Sequence, residues 1–229
     1  MSDANETHFC MLPMPGDAEG KSKAALLNAS RWEGGTKVRV RFMEGDPQLQ
    51  KRVRKVAKEW TGAKMANVSL KFVEEGDADI RVAFQQGDGS WSYLGTMCKQ
   101  IPADQPTMNY GWLTPDSPDD ELRRVVLHEF GHALGLIHEH QNPQQPIKWN
   151  KAAVKADLSK PPNSWDDATI ENNMFRKYAP DAVTATPTDR LSIMMYPIPA
   201  RWTTDGFSAG FNGELSDTDK QFIRSAYPW

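Results

Sequence analysis

Between His128 and His138 the chain reads His128-Glu129-Phe130-Gly131-His132-Ala133-Leu134-Gly135-Leu136-Ile137-His138, which holds three of its five histidines. A helix turns about 100° per residue, so His128 and His132 fall about 40° apart on one face, one turn apart. Two imidazole nitrogens placed in this way suit one Zn²⁺ at about 2.0–2.1 Å. Glu129 points to the side of that pair, where its carboxylate can act on water at the metal without ligating it. On an unbroken helix His138 would lie about 15 Å along the axis from His128 and could share no metal with it. Gly135 removes that obstacle, because glycine takes the left-handed conformation cheaply and commonly ends helices. The chain can then turn and bring His138 back beneath the other two. The plainer alternative is a buried helix whose histidines are satisfied by ordinary hydrogen bonds. Three histidines, a glutamate and a helix-ending glycine in one register favour the metal.

The elements that must position these residues are also legible. Ser117 is a natural N-cap, Pro118 fits the first helical position, and Asp119, Asp120 and Glu121 favour the positive end of the dipole. Leu122, Val125, Val126, Phe130, Ala133 and Leu134 form a broad apolar arc within which Glu129 projects, and a carboxylate there needs a partner. Upstream, Lys37 to Phe42 alternates as a half-buried strand. A helix follows from Asp46-Pro47, with Leu49, Val53, Val56, Ala57 and Trp60 on one face and Gly62 beyond its end. Val68 to Val73 and Asp79 to Phe84 read as strands separated by the turn-prone Glu75-Gly76-Asp77. Beyond His138, residues 147–190 carry short helical patterns broken by Pro161-Pro162 and Pro180. Leu215-Ser216-Asp217 then opens a last helix that buries Phe222, Ile223 and Ala226 and stops at Pro228.

Composition sets wide bounds. With 229 residues and 39% hydrophobic content the chain can build a real core in one domain or two small ones. A formal charge of −3 gives no general reason to expect nucleic acid or membrane partners. No stretch is apolar enough to span a bilayer, and Met1 to Glu6 is polar, unlike a signal peptide. Cys10 and Cys98 allow one disulfide at most. Residues 1–30 show no sustained periodicity and read as a loose arm.

The zinc pattern H-E-x-x-H-x-x-G-x-x-H resembles the signature of the metzincin metalloproteases, and His138-Glu139 resembles the astacin branch. Ser192-Ile193-Met194-Met195-Tyr196 is similar to the astacin Met-turn, with Met195 where astacins often have His. Trp91-Ser92-Tyr93-Leu94-Gly95 is similar to a segment astacins carry upstream of the metal helix. The resemblance implies an α+β, zincin-like fold: a twisted mixed sheet with a backing helix and the active-site helix, then an irregular C-terminal subdomain with a terminal helix. It places one catalytic domain over residues 31–229, with an N-subdomain to about 135 and a C-subdomain from about 136.

It further implies a zinc endopeptidase acting on protein or peptide substrates. His128, His132 and His138 would hold Zn²⁺, and Glu129 would be the general base and acid. Tyr196 would serve as a resting ligand that swings away to stabilise the oxyanion, with Met194 as a hydrophobic floor. Thr107 to Trp112 would be the edge strand that pairs with the substrate backbone. Astacins are extracellular, which sets the expected location, although they usually carry more cysteines than this chain. Two rival readings are a metal-binding module that holds peptides without cutting them, and a zincin whose third ligand is a distant Glu. In the 1–30 arm, Gly16-Asp17 partly matches the inhibitory F-x-G-D of astacin pro-segments, lacking the Phe, and Cys10 offers a thiolate suited to Zn²⁺. For both, an ordinary exposed loop and a structural or free thiol is the expectation.

Overall fold

The computed structural model describes residues 8–13, 30–62, 64–144, 146–178 and 187–229. Strands β1 (Lys37–Phe42), β2 (Ser69–Phe72), β3 (Ile80–Ala83), β4 (Ser90–Ser92) and β5 (Met108–Tyr110) form one mixed sheet in the order β2-β1-β3-β5-β4. β2 and β3 each pair parallel with β1, so the Glu75-Gly76-Asp77 turn joins strands on opposite sides of β1 and closes no hairpin. β5 pairs parallel with β3, and β4 closes the sheet antiparallel to β5. The expected edge strand at 107–112 therefore lies inside the sheet, and β4 is the edge on that side. Chain order misleads here because β4 leaves the sheet's interior position to the strand that follows it.

Helix α1 (Pro47–Ala57) starts as the sequence suggests: the Asp46 carboxylate accepts from the Gln48 and Leu49 amides, and proline occupies the first turn. Its buried Leu49, Val53, Val56 and Ala57 back the sheet. Trp60, in the 3₁₀ turn that follows, packs against helix α2 (Asp119–Ala133) and donates its indole N–H to Leu127 O at 2.9 Å. The start of α2 departs from expectation. Pro118 is its cap residue, and the Ser117 hydroxyl instead accepts the Thr114 amide at 2.8 Å. Arg52 of α1 fixes this entry by donating to Pro115 O, Ser117 O and Asp119 Oδ1.

The end of α2 is fully paired. Gly135 has φ +94°, and its amide bonds His132 O while the Leu136 amide bonds Gly131 O, the two bonds of a Schellman stop. Two carbonyls that the helix leaves over, Ala133 O and Leu134 O, accept from the Trp32 indole at 2.8 Å and the Tyr227 hydroxyl at 2.7 Å. A second apolar cluster gathers helix α3 (Lys151–Leu158), helix α4 (Asp167–Ile170) and the segment after the Met-turn around Trp165, Tyr196 and Trp202. Helix α5 (Asp217–Ala226) closes the chain on the first cluster with a capping box between Ser216 and Asp219. A cleft runs between residues 87–89 and 111–112, beside β4 and β5, and residues 162–166 on the side of this second cluster.

Candidate metal centre

α2 carries His128, Glu129 and His132 inward, all buried, and the Gly135 turn returns His138 to them. One ligand atom from each of the three histidines can be chosen so that all lie within 4.8 Å of one another. Every Nδ1 already has an acceptor: Ile193 O for His128 at 2.9 Å, Leu136 O for His132 at 2.7 Å, and Gln141 Oε1 for His138 at 3.3 Å. Gln141 donates its own amide to Asn172 O at 2.8 Å, which leaves its oxygen for His138. A carbonyl oxygen only accepts, so each Nδ1 carries the proton and each Nε2 presents a lone pair. The Nε2 atoms of His132 and His138 are 3.1 Å apart, and His128 Nε2 has no partner. Facing lone pairs in a buried pocket repel unless a cation satisfies them. These residues fit a metal ion, with outer partners that orient each ring.

Burial keeps the imidazoles neutral, as ligation requires: His132 is pushed down to about 4, and His128 and His138 are pushed well below their usual range. Burial lifts the Glu129 carboxyl to about 8. Neither Glu129 oxygen has a properly formed hydrogen bond, which is unusual for a buried carboxyl and marks a group aimed at something else. Met194 lies beneath α2 at Gly131, where a Cβ would come within 2.4 Å of its sulfur. Only glycine permits that approach. Among the described residues no other group of histidine, cysteine and acidic side chains comes together in this way. Glu139, beside His138, accepts from Asn142 and from the Asp189 amide.

The arm is the main departure from expectation. Residues 8–13 are not a loose exposed loop but lie along the cleft, with Phe9, Cys10 and Leu12 buried. The Met11 amide donates to Ser90 O at 2.9 Å, and Met11 bridges Trp91 of β4 in parallel. Phe9 and Leu12 donate their amides to Asn163 Oδ1 and Asn173 Oδ1 at 3.0 and 3.2 Å. The Tyr196 hydroxyl donates to Cys10 O. Phe9 packs among Tyr196, Trp202 and Trp165, and His8 stacks on Trp112 with 4.7 Å between ring centroids. The Cys10 thiol lies against the Glu129 carboxyl, and burial followed by that carboxyl pushes the thiol well above its usual range. Neither cysteine is in a disulfide. Asp17, the other inhibitory candidate, lies outside the described residues.

The Tyr196 ring lies 4.3 Å from that of His138 by centroid, and its hydroxyl is engaged by the arm. Sequence reasoning missed Ser90 to Ser92 as the pairing edge, and Leu136, Gln141 and Ile193 as outer partners. Most of these act through backbone or amide groups, which leave no residue-type signal. No described helix is long and apolar enough to cross a membrane.

The peptidase family model described as Astacin matches residues 26–227. A solved structure of myroilysin aligns with a TM-score of 0.85 at 43% identity, covering 89% of this chain and 98% of that one. A crystal structure of myroilysin aligns over 100% of this chain and 94% of its own, with a TM-score of 0.73 and 39% identity. High choriolytic enzyme 1, a hatching enzyme zinc-protease from Oryzias latipes (Medaka fish), shares the fold at a TM-score of 0.54 and 17% identity, over 86% of this chain and 94% of its own. Interstitial collagenase from Bos taurus is 38% identical over 77 residues, a stretch that spans only 16% of that relative's length.

Proposed function

The chain belongs to the astacin family of peptidases and is a zinc endopeptidase; within it we propose that His128, His132 and His138 hold the zinc and that Glu129 and Tyr196 act on the substrate. The observation that carries this assignment is the set of three buried, neutral imidazoles, each oriented through Nδ1 and presenting Nε2 to one point, beside an unsatisfied carboxyl. Zinc bound there supplies a Lewis acid and acidifies water, chemistry that no side chain in the cleft provides. Glu129 takes the proton from the attacking water on a carboxylate oxygen and delivers it to the leaving amine nitrogen. Measuring zinc per chain, together with peptide digestion with and without a chelator, tests the assignment. Cleavage that survives full removal of zinc would reject it.

Tyr196 supplies the oxyanion donor. Its hydroxyl donates to the Cys10 carbonyl, so the phenol can bond a peptide carbonyl lying along the cleft. With the arm withdrawn, the phenol oxygen is free to take a place at the resting metal. Tyr196→Phe is expected to retain zinc and lower kcat by about 10²-fold with little change in KM, as loss of one oxyanion donor does. Steady-state kinetics on one peptide substrate separate the two parameters. An unchanged kcat would remove Tyr196 from the mechanism.

Residues 1–30 are proposed to act as a pro-segment whose 8–13 stretch keeps the enzyme latent. Cys10 places a soft sulfur at the metal pocket, and four backbone bonds seat the stretch whatever its side chains. The full chain carrying Cys10→Ala and Phe9→Ala together is expected to cleave peptides at least about 10-fold faster than the unaltered chain. That figure corresponds to about 1.4 kcal/mol of lost arm affinity, which the buried Phe9 ring alone can supply. Equal rates for the two chains would show that the arm does not restrain the enzyme. Protein or peptide substrates follow from the family, and an extracellular site of action is proposed on the same ground.

A further inference from the structure

Asp219 is buried at 4% exposure one turn into α5, and its partners are neutral donors. A carboxylate in such a place is costly unless every bond it makes is good. Part of its role is local: it accepts the Ser216 amide at 2.9 Å, and the Ser216 hydroxyl accepts its own amide at 2.9 Å, which caps the helix. The rest of its bonding leaves the helix. Oδ1 accepts the Ser192 hydroxyl at 2.7 Å, and Oδ2 accepts the Ile193 amide at 2.8 Å. The Ser192 oxygen in turn accepts the Met194 amide at 3.0 Å, and Asn212 holds Ser192 O at 2.8 Å.

Residues 192–194 are thus pinned from one side, and their free carbonyls meet the metal motif on the other. Ile193 O accepts from His128 Nδ1 at 2.9 Å, and Met194 O accepts the amide of Glu139, next to His138, at 3.0 Å. The two other histidines take their acceptors from Leu136 and Gln141, within or beside the motif. Only His128 takes its Nδ1 acceptor directly from a remote segment. We propose that Asp219 is a positioning residue for the metal: by fixing the Ile193 carbonyl it sets the tautomer and ring plane of His128, and so sets how long the site retains zinc. This rests on the assignment of His128 as a ligand.

The test uses the zinc-loaded full chain. Asp219→Asn keeps the size of the side chain but turns an N–H toward groups that are themselves donors. Zinc release into an excess of an absorbing chelator is expected to be about 10-fold faster or more in this variant, the effect of losing an outer partner. The absorption bands of the cobalt(II)-substituted chain are expected to shift with it. Ser216→Ala serves as the control for helix stability alone: it lowers the melting temperature of the metal-free chain and leaves zinc release and the cobalt bands as in the unaltered chain. Ser192→Ala cuts the Oδ1 link without touching α5, and is expected to accelerate release even if Asp219→Asn does not fold. If release is unchanged in Ser192→Ala and in any folded Asp219→Asn chain, the proposal is overturned and the zinc site stands. If the unaltered chain binds no zinc at all, both are overturned.

Discussion

Glu129→Gln retains one zinc per chain and loses turnover by about 10²–10⁴-fold, the range that a general acid and base contributes. Glutamine fills the same volume, so the three histidines and their outer partners stay as they are. What is lost is the site that takes and returns a proton. The same substitution is expected to leave the folded chain as stable as before, or more so. The carboxyl is buried without a formed hydrogen bond and is lifted to about 8 by burial, so it is a cost to the fold. A neutral amide relieves part of that cost. Zinc analysis, thermal unfolding and digestion of one defined peptide form the complete test. Full activity in zinc-loaded Glu129→Gln would refute the assigned mechanism, whereas loss of zinc would make Glu129 a structural partner of the metal.

His138→Ala is expected to lower zinc affinity well beyond the about 10–100-fold that follows loss of an outer partner, because a ligand itself is removed. Activity disappears with the metal. The metal-free chain should tolerate the change unusually well for a buried position. His132 and His138 present their lone pairs to each other at 3.1 Å, and deleting one imidazole ends that repulsion at the price of a cavity. Zinc titration and thermal unfolding of the metal-free chain would be compared with those of His132→Ala, which should behave alike. Near-normal zinc affinity in His138→Ala would mean that another group completes the site and that the Gly135 turn is not a metal device.

The contrast between what was legible and what was not has a physical pattern. The metal motif could be read because each residue in it has a duty set by local geometry: two histidines one turn apart, then a glycine that alone adopts φ +94° cheaply and ends α2 in a Schellman stop. The caps of α1 and α5 were readable for the same reason, since Asp46 and Ser216 bond amides two and three residues away. Residues 8–13 were not readable. Their order comes from Ser90, Asn163, Asn173 and Tyr196, groups 79 to 186 positions distant, and a chain without periodicity carries no trace of such partners. The edge of the sheet failed likewise, because pairing order depends on how β3, β4 and β5 pack and not on their sequence in the chain. The packing of Met194 on Gly131, and the bond from Tyr196 to the arm, could be seen only in three dimensions.

The acceptor for His128 comes from Ile193, which is itself held from Asp219, while the segment along the cleft lies at residues 8–13. A ribosome delivers these pieces in a fixed order, and chains begin to fold from the N-terminal side as they emerge. The occupant of the cleft is made before the residues of the metal pocket. The bond network that finishes the His128 corner of the metal pocket needs Asp219, which follows that occupant in the chain. No growing chain therefore carries a completed pocket before its own occupant has left the ribosome.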